Sequence, residues 1–258
     1  MTVERIEVNG RAATLTDVAT PALINFGHYT SMQVRRHRVR GMAQHLDRLV
    51  GSTRELFDVA LDADQVRAWI RHAVAESPDA AVRVNVFRRN PDGPVSVMVT
   101  VRPPNDPPST PLRLWTVPYQ RPVPHIKHVG SFGQIYYGRL AAGRGYDDAL
   151  LTADDGTISE TTVANIGFFW RDRRAPLSAA GVVRWPDAPC LIGTAMALLG
   201  GERGPVRVAD LPTVLGAFVA NSIGIVPVGR IDELTLPFDD RLMASVRDRY
   251  DAVPWDPI

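Results

Sequence analysis

The sequence predicts an α+β protein in two domains, and three observations lead there. Strand-like and helix-like patterns mix along the 258 residues without strict βαβ order. Five prolines crowd the run Pro103-Pro104-Asn105-Asp106-Pro107-Pro108-Ser109-Thr110-Pro111, which excludes helix and interior strand and favours an extended tether. Apolar residues make up 45% of the chain and charged ones 22%, enough to build a core on each side of that tether. The expected division is residues 1–102, a linker over 103–111, and residues 112–258.

Each element has its own signal. Arg5–Val8 and Ala13–Leu15 read as short strands. Met32–Val34 and Arg38–Val39 flank Arg35-Arg36-His37 like hairpin arms. From Ala43 the pattern turns helical, with Leu46, Leu49, Val50, Leu56 and Phe57 at three-to-four spacing. A second helix runs from about Asp62, a good N-cap, to about Ala75, with Val66, Trp69, Ile70 and Val74 on one face. Val82–Phe87 and Val95–Val101 alternate like paired strands about the turn Asn90-Pro91-Asp92-Gly93. Beyond the linker come a strand at Leu112–Val117, a helix at Phe132–Ala142 and a strand at Asp148–Thr152. The tight turn Asp154-Asp155-Gly156 then leads through Thr157–Ser159 to an apolar strand, Asn165–Trp170. Leu191–Leu199 reads as helix, and Ala217–Val219 and Ile225–Val228 as strands.

Composition narrows the function. A net charge of +1 argues against the usual basic nucleic-acid binder. The lone cysteine, Cys190, excludes an internal disulfide and a thiolate-cluster metal site, and reads as a small core residue. The six histidines show no zinc-hydrolase spacing, so no metal is expected. The start, MTVERIEVNG, has no apolar core of a secretory signal. The long uncharged stretch Leu211–Gly229 is broken by Pro212, Asn221, Ser222 and Pro227, so it reads as core strands and turns and not as a membrane span. The expectation is a soluble cytoplasmic protein that acts on small molecules.

One count stands out. Of 29 cationic side chains, 28 are arginine, and the single lysine is Lys127. Arginine replaces lysine on a solvated surface but not where a neutral primary amine is needed, because guanidinium stays protonated. Composition leaves two readings, a surface lysine left by drift or an amine that chemistry requires. Lys127 lies in Pro124-His125-Ile126-Lys127-His128-Val129-Gly130, just before a predicted helix, a suitable place for a Schiff-base nucleophile. Thirty-three residues on, Glu160 follows a β-turn and precedes an apolar strand. It is either an ordinary turn carboxylate or the partner of a cation such as a protonated pyridine nitrogen.

The order Lys127, Asp147-Asp148-Ala149-Leu150-Leu151, Asp155-Gly156, Glu160 and Asn165-Ile166 resembles the class IV, or fold-type IV, pyridoxal-phosphate enzymes. Tyr29 followed by His45-Leu46-Asp47-Arg48-Leu49 resembles their N-terminal motif, so the likeness spans roughly residues 5 to 232. It implies a small α/β first domain and a β-rich pseudo-barrel second domain with pyridoxal 5'-phosphate in the cleft between them, and a homodimer whose pocket a neighbouring subunit completes. It further implies that Lys127 holds the cofactor covalently, that Glu160 keeps the pyridine nitrogen protonated, and that Arg48 binds the phosphate. Gly193-Thr194-Ala195 falls at the family's phosphate loop and Asn221-Ser222 at a second phosphate-contacting turn. Where the family commonly has Gly-Ile-Thr-Arg, this chain has Gly193-Thr194-Ala195-Met196, so the resemblance implies either that Thr194 supplies a shifted hydroxyl or that phosphate binding leans more on Arg48, Ser222 and backbone donors.

Two reactions fit that family. The reading adopted is a transaminase taking an amino donor and a keto acid, with a lean to D-amino acids or (R)-amines. Its expected pocket residues are Tyr29, Thr30, Arg121 and Arg88, the last at the carboxylate-binding position of D-amino-acid transaminases. The alternative is 4-amino-4-deoxychorismate lyase, favoured by Thr30 after Tyr29, by the pair Lys127-His128 and by the run Asn221–Val228. A binding protein that kept the fold and lost catalysis is a third reading, countered by the retained Lys127, Glu160 and Arg48.

Overall fold

The computed structural model describes residues 2–90, 92–170 and 182–258. Pro91, in the expected turn over 90–93, lies outside the described residues. The chain forms two compact units. One contains Met1–Asp106, Ile126–Gly130 and Pro254–Ile258, and the other contains Pro107–His125 and Ser131–Val253. The division falls inside the proline run, but two later segments belong to the first unit. Hydrogen bonding to strands of that unit outweighs their position in the sequence.

The first unit comprises β1 (Arg5–Val8), β2 (Arg11–Ala12), α1 (Leu15–Leu23), β3 (His28–Val34), β4 (Arg38–Arg40), α2 (Met42–Phe57), α3 (Ala63–Ala73), β5 (Ala80–Arg88) and β6 (Val95–Arg102). Its sheet is antiparallel in the order β2-β1-β6-β5-β3, so β3 is outermost. Helices α2 and α3 cover one face, where Val82, Val84, Val86, Val97, Val99 and Val101 pack with Leu49, Val66 and Ile70. Burying each such side chain contributes roughly 1.5–3 kcal/mol.

Side chains alternate strictly along β3. His28, Thr30, Met32 and Val34 are buried on the helix side, and Tyr29, Ser31 and Gln33 point to the opposite face. In register, Tyr29 lies opposite Asn85 and Ser31 opposite Arg83, so these four share the face away from the helices.

Ala13–Leu15, expected as strand, instead turns into α1. The Thr14 side chain accepts from the Asp17 N–H while Asp17 accepts from the Thr14 N–H, a reciprocal cap that starts the helix. Arg11 at 2.7 Å and the hydrogen bonds from Thr14 hold the Asp17 carboxyl well below the usual range, and Arg89 pairs with the same carboxylate. A C-terminal strand, Trp255–Pro257, pairs with β4. Gly41 has no side chain with which to cap α2, and Asp256 accepts from the Met42 N–H at 2.9 Å in its place.

The second unit adds β7 (Leu112–Pro118), α4 (Phe132–Gly143), β8 (Asp148–Thr152), β9 (Ile158–Thr161), β10 (Asn165–Trp170), β11 (Val182–Pro186), α5 (Thr194–Leu199), β12 (Glu202–Gly204), β13 (Gly216–Asn221), β14 (Gly224–Ile231), β15 (Leu234–Thr235) and α6 (Asp240–Asp251). These strands make one mixed sheet in the order β12-β11-β10-β13-β14-β7-β8-β9, with β15 on β14. The sheet curls so that β9, at one end of that order, returns against β10. This is the expected α+β class with a half-barrel second domain. Helix α5 begins only at Thr194, later than the expected Leu191. Helices α5 and α6 pack over Phe169, Trp185 and Phe218. No helix among the described residues is long and apolar enough to cross a membrane.

Candidate active site

In the first unit, the segment carrying Lys127 runs antiparallel to the start of β3. The Tyr29 N–H donates to Lys127 O at 2.9 Å and the Val129 N–H to Gly27 O at 3.0 Å. Buried Ile126 anchors the segment. These bonds fix the backbone and leave the side chain to reach across the strand, where Nζ stands 4.9 Å from the centroid of the Tyr29 ring.

On the helix side, buried polar groups pair among themselves. Thr30, fully buried, has Oγ1 2.7 Å from His45 Nδ1, and Arg48 donates to the same oxygen at 3.3 Å. Burial, with the positive charges of Arg48 and Lys127, pushes the His45 imidazole down to about 3. The ring is therefore neutral, and its Nδ1 shares a hydrogen bond with the Thr30 hydroxyl. His28 bonds Thr53 Oγ1 through Nε2 at 2.9 Å, and burial lowers it to about 4. Its Nδ1 has no hydrogen-bond partner among the described residues.

Strand alternation separates residues expected to share a pocket. Tyr29 faces away from the helices, while Thr30 turns inward and spends its hydroxyl on His45 and Arg48. Arg88, expected to bind a carboxylate, also lies on the helix side and donates to Phe57 O at 2.9 Å. Arg83, five residues earlier and of opposite parity, stacks on Tyr29 with its guanidinium carbon 3.6 Å from the ring centroid.

In the second unit, Glu160 and Arg121 are nearly buried, at 7% and 8% exposure, and Arg121 Nε donates to Glu160 Oε1 at 3.0 Å. Arg121 also donates to Pro124 O. The Leu191 N–H donates to Glu160 Oε2 at 3.3 Å. Both donors favour an ionised carboxylate. Arg121, expected as a pocket residue, is thus a partner of the candidate acid. The thiol of Cys190 is pushed up by burial and by nearby Glu160, so it stays protonated and inert.

Asn165 organises the loop before α5. Its Nδ2 donates to Leu191 O at 2.7 Å and its Oδ1 accepts from the Gly193 N–H at 3.1 Å. A Cβ at Gly193 would collide with that oxygen and force the Asn165 side chain off its two hydrogen bonds. Thr194 and Ala195 are buried in the first turn of α5. Asn221 caps the β13–β14 turn, accepting from the Ile223 N–H at 2.8 Å, with Ser222 at its tip. His45 and Asn165 stood inside the motifs quoted above without a role. The i,i+3 spacing of His45 and Arg48, which sets both on one helix face, was the readable signal for the former.

The family model described as amino-transferase class IV matches residues 27–231. No curated protein sequence matches the chain. Among solved structures, a hypothetical aminotransferase from Mycobacterium tuberculosis in its PLP-bound form superposes with a TM-score of 0.80 at 20% identity, over 97% of this chain and 98% of that one. A branched-chain aminotransferase from Thermoproteus uzoniensis, with norvaline, gives 0.80 at 19% identity over 97% and 94%. A putative 4-amino-4-deoxychorismate lyase from Legionella pneumophila gives 0.78 at 18% identity over 94% and 96%.

Proposed function

Since the chain belongs to the class IV aminotransferases, enzymes that depend on pyridoxal phosphate, we propose that it is a transaminase moving an amino group from an amino acid to a keto acid. The observation that carries this reading is the chain's one primary side-chain amine, held at Lys127 beside Tyr29 and close enough to His45 to shift its titration.

The donor set fits the cofactor. A lone amine suits an aldehyde, the always-charged fork of Arg48 suits a phosphate, and buried Glu160 suits a ring nitrogen that carries a proton. Gly193, where any Cβ would strike Asn165, keeps the backbone before α5 bare. Pyridoxal phosphate, when bound, supplies an aldehyde that joins amines covalently and a ring that takes up electrons from the α-carbon. Lys127 Nζ takes and returns the proton at the substrate α-carbon. Glu160, which accepts from Arg121 Nε and the Leu191 N–H, would hold the protonated ring nitrogen through a hydrogen bond. Neutral His45 holds the Thr30 hydroxyl, and that oxygen holds Arg48 in one orientation.

Thr30 is one of the three features that lean toward the lyase. Its engagement with His45 and Arg48 gives it a structural use that either reaction would need, so it no longer favours one. Arg88, which sits at the carboxylate-binding position of D-amino-acid transaminases, lies on the helix face, and handedness is left to a comparison of D- and L-alanine. The reading includes a homodimer, supported by the apolar surface that α4 exposes at Phe132, Ile135 and Tyr136.

The deciding measurement is the visible absorbance of purified holoenzyme before and after addition of alanine. Bleaching, with recovery on adding a keto acid, supports transamination. No change with amino donors, together with pyruvate release from aminodeoxychorismate, replaces it with the lyase.

Arg48→Ala should purify largely as apo-protein. Loss of a charge-assisted contact costs roughly 1.5–3 kcal/mol, or about ten- to hundredfold in cofactor affinity. Titration of apo-protein with pyridoxal phosphate reads it, and an unchanged dissociation constant refutes the role.

A further inference from the structure

Two buried pairs of the same kind cross the interface between β3 and α2 in opposite senses. The strand gives His28 to Thr53 of the helix, with Nε2 2.9 Å from Oγ1. The helix gives His45 to Thr30 of the strand, with Nδ1 2.7 Å from Oγ1. All four residues are at most 1% exposed. Around them the interface is apolar, built from Met32, Val34, Leu46 and Leu49. Aliphatic side chains would fill these positions without burying an imidazole nitrogen that lacks a hydrogen-bond partner among the described residues, as His28 Nδ1 does. Each pair backs one of the two cationic side chains assigned to the cofactor. The backbone on either side of His28, at Gly27 and Tyr29, bonds the segment that carries Lys127. Thr30 Oγ1, next to His45, accepts from Arg48. Opening this interface therefore loosens both cations together.

Neither ring has an acid to meet if it takes up a proton. Strands β3, β4, β5 and β6 contain no acidic residue, nor does the segment Ile126–Gly130, and the two acids of α2, Asp47 and Glu55, are exposed. Helix α3 also packs on α2, and its Asp64, Arg67, Arg71 and His72 act on neither ring. The charges that do act on His45 are Arg48 and Lys127, both positive. His28 lies against Phe57, the ring that also meets the guanidinium of Arg88, and His128 stands across the backbone bridge from it. Burial pushes His28 down to about 4, and burial with the two cations pushes His45 down to about 3. Rings that reach water return to about 6.5. The opened interface thus binds two protons that the closed one refuses. Closure is fully favoured above about pH 6.5. Below that, each histidine shifts the balance toward the open form by up to about tenfold per pH unit, down to about 4 for His28 and about 3 for His45.

We infer that His28 and His45 are positioning residues that tie cofactor retention to pH: while both are neutral the β3–α2 interface stays shut, and acid opens it and speeds cofactor loss while the second unit stays folded. The inference rests on the reading that Lys127 and Arg48 hold pyridoxal phosphate. The opening itself is measurable without the cofactor.

A Gln amide can stand at the place of Nε2 and an Asn amide at that of Nδ1, so H28Q and H45N keep the bonds to Thr53 and Thr30 and do not titrate. Cofactor loss after rapid dilution is followed by fluorescence in the unaltered holoenzyme, both single variants and the double variant. The two conditions are about pH 7.5 and about pH 5, on either side of the ordinary imidazole range. Each protein is compared with its own rate at the higher pH. Amide hydrogen exchange is read on the apo-proteins under both conditions and corrected for the intrinsic rate. The unaltered protein is expected to lose cofactor at least about a hundredfold faster at the lower pH. Each single variant should forgo roughly tenfold of that acceleration, and the double variant should accelerate less than about tenfold. In the unaltered apo-protein the amides of α2 should lose protection by a similar factor while those of β13 and β14 keep theirs. Equal acceleration in the unaltered protein and the variants overturns the inference. So does unchanged protection of α2 at the lower pH, or protection lost evenly along the whole chain. The single variants decide the matter if the double variant does not fold. If the unaltered protein takes up no pyridoxal phosphate at the higher pH, the cofactor reading fails, and the exchange of α2 still decides the part played by the histidines.

Discussion

Lys127→Ala is expected to purify without covalently held cofactor and to show no measurable turnover. No other lysine exists to take over, and none of the 28 arginines presents a neutral amine. The substitution removes both the covalent anchor and the proton carrier, and the second role alone is worth about 10²–10⁴ in rate. The fold should survive, because the segment is held by backbone bonds from Tyr29 and Val129 and by buried Ile126. Added ethylamine is expected to restore a small part of the activity. Borohydride treatment of the unaltered holoenzyme should fix the cofactor to one peptide, the one that spans Lys127. Label recovered elsewhere, or turnover in Lys127→Ala without added amine, removes the assignment.

The second large effect is expected at the buried pair of Glu160 and Arg121. Glu160→Gln keeps the shape and removes the charge, so Arg121 is left buried without its counter-ion. Breaking a buried pair from one side costs about 3–5 kcal/mol. α-Proton transfer should slow by at least about a hundredfold, because the amide no longer holds a proton on the nitrogen opposite it. A double variant, Glu160→Gln with Arg121→Met, separates the two consequences. Replacing both charges restores much of the stability but none of the rate. If the double variant recovers turnover along with its melting temperature, the acid's role is structural only.

Much of this was readable from local patterns. The amphipathic spacing in α2 and α3, the Asp62 cap and the alternation in β5 and β6 each act over a few residues, and the sequence displays them directly. Helix α6 displays one as well: Asp239 caps it, and Leu242, Met243, Val246 and Tyr250 recur at helical spacing, but the many charged residues between them make the signal weak. Helix α1 hides better, with Pro21 inside it and both end leucines exposed.

At the site, the difficulty was distance and parity. Arg121 meets Glu160 across 39 positions, which no local pattern reveals. Tyr29 and Thr30 adjoin in sequence, yet adjacent residues of a strand face opposite ways. The same alternation puts Arg88 on the helix face and Arg83 on the face of Tyr29. Both arginines were visible in the sequence, but which face carried Tyr29 became clear only from the register of β3 on β5.

The antiparallel bridge at Lys127 has a consequence for solubility. β3 ends its sheet, and an outermost strand with unpaired amides and carbonyls is a template on which another chain can add. The segment Ile126–Gly130 occupies the first part of that template, at Gly27 and Tyr29. A lesion that loosens it, such as a proteolytic nick beside Lys127, should lead to self-association through the uncovered strand as well as to lost activity. The rise in light scattering should follow the nick itself, and Lys127→Ala, which leaves the backbone bonds in place, should not show it.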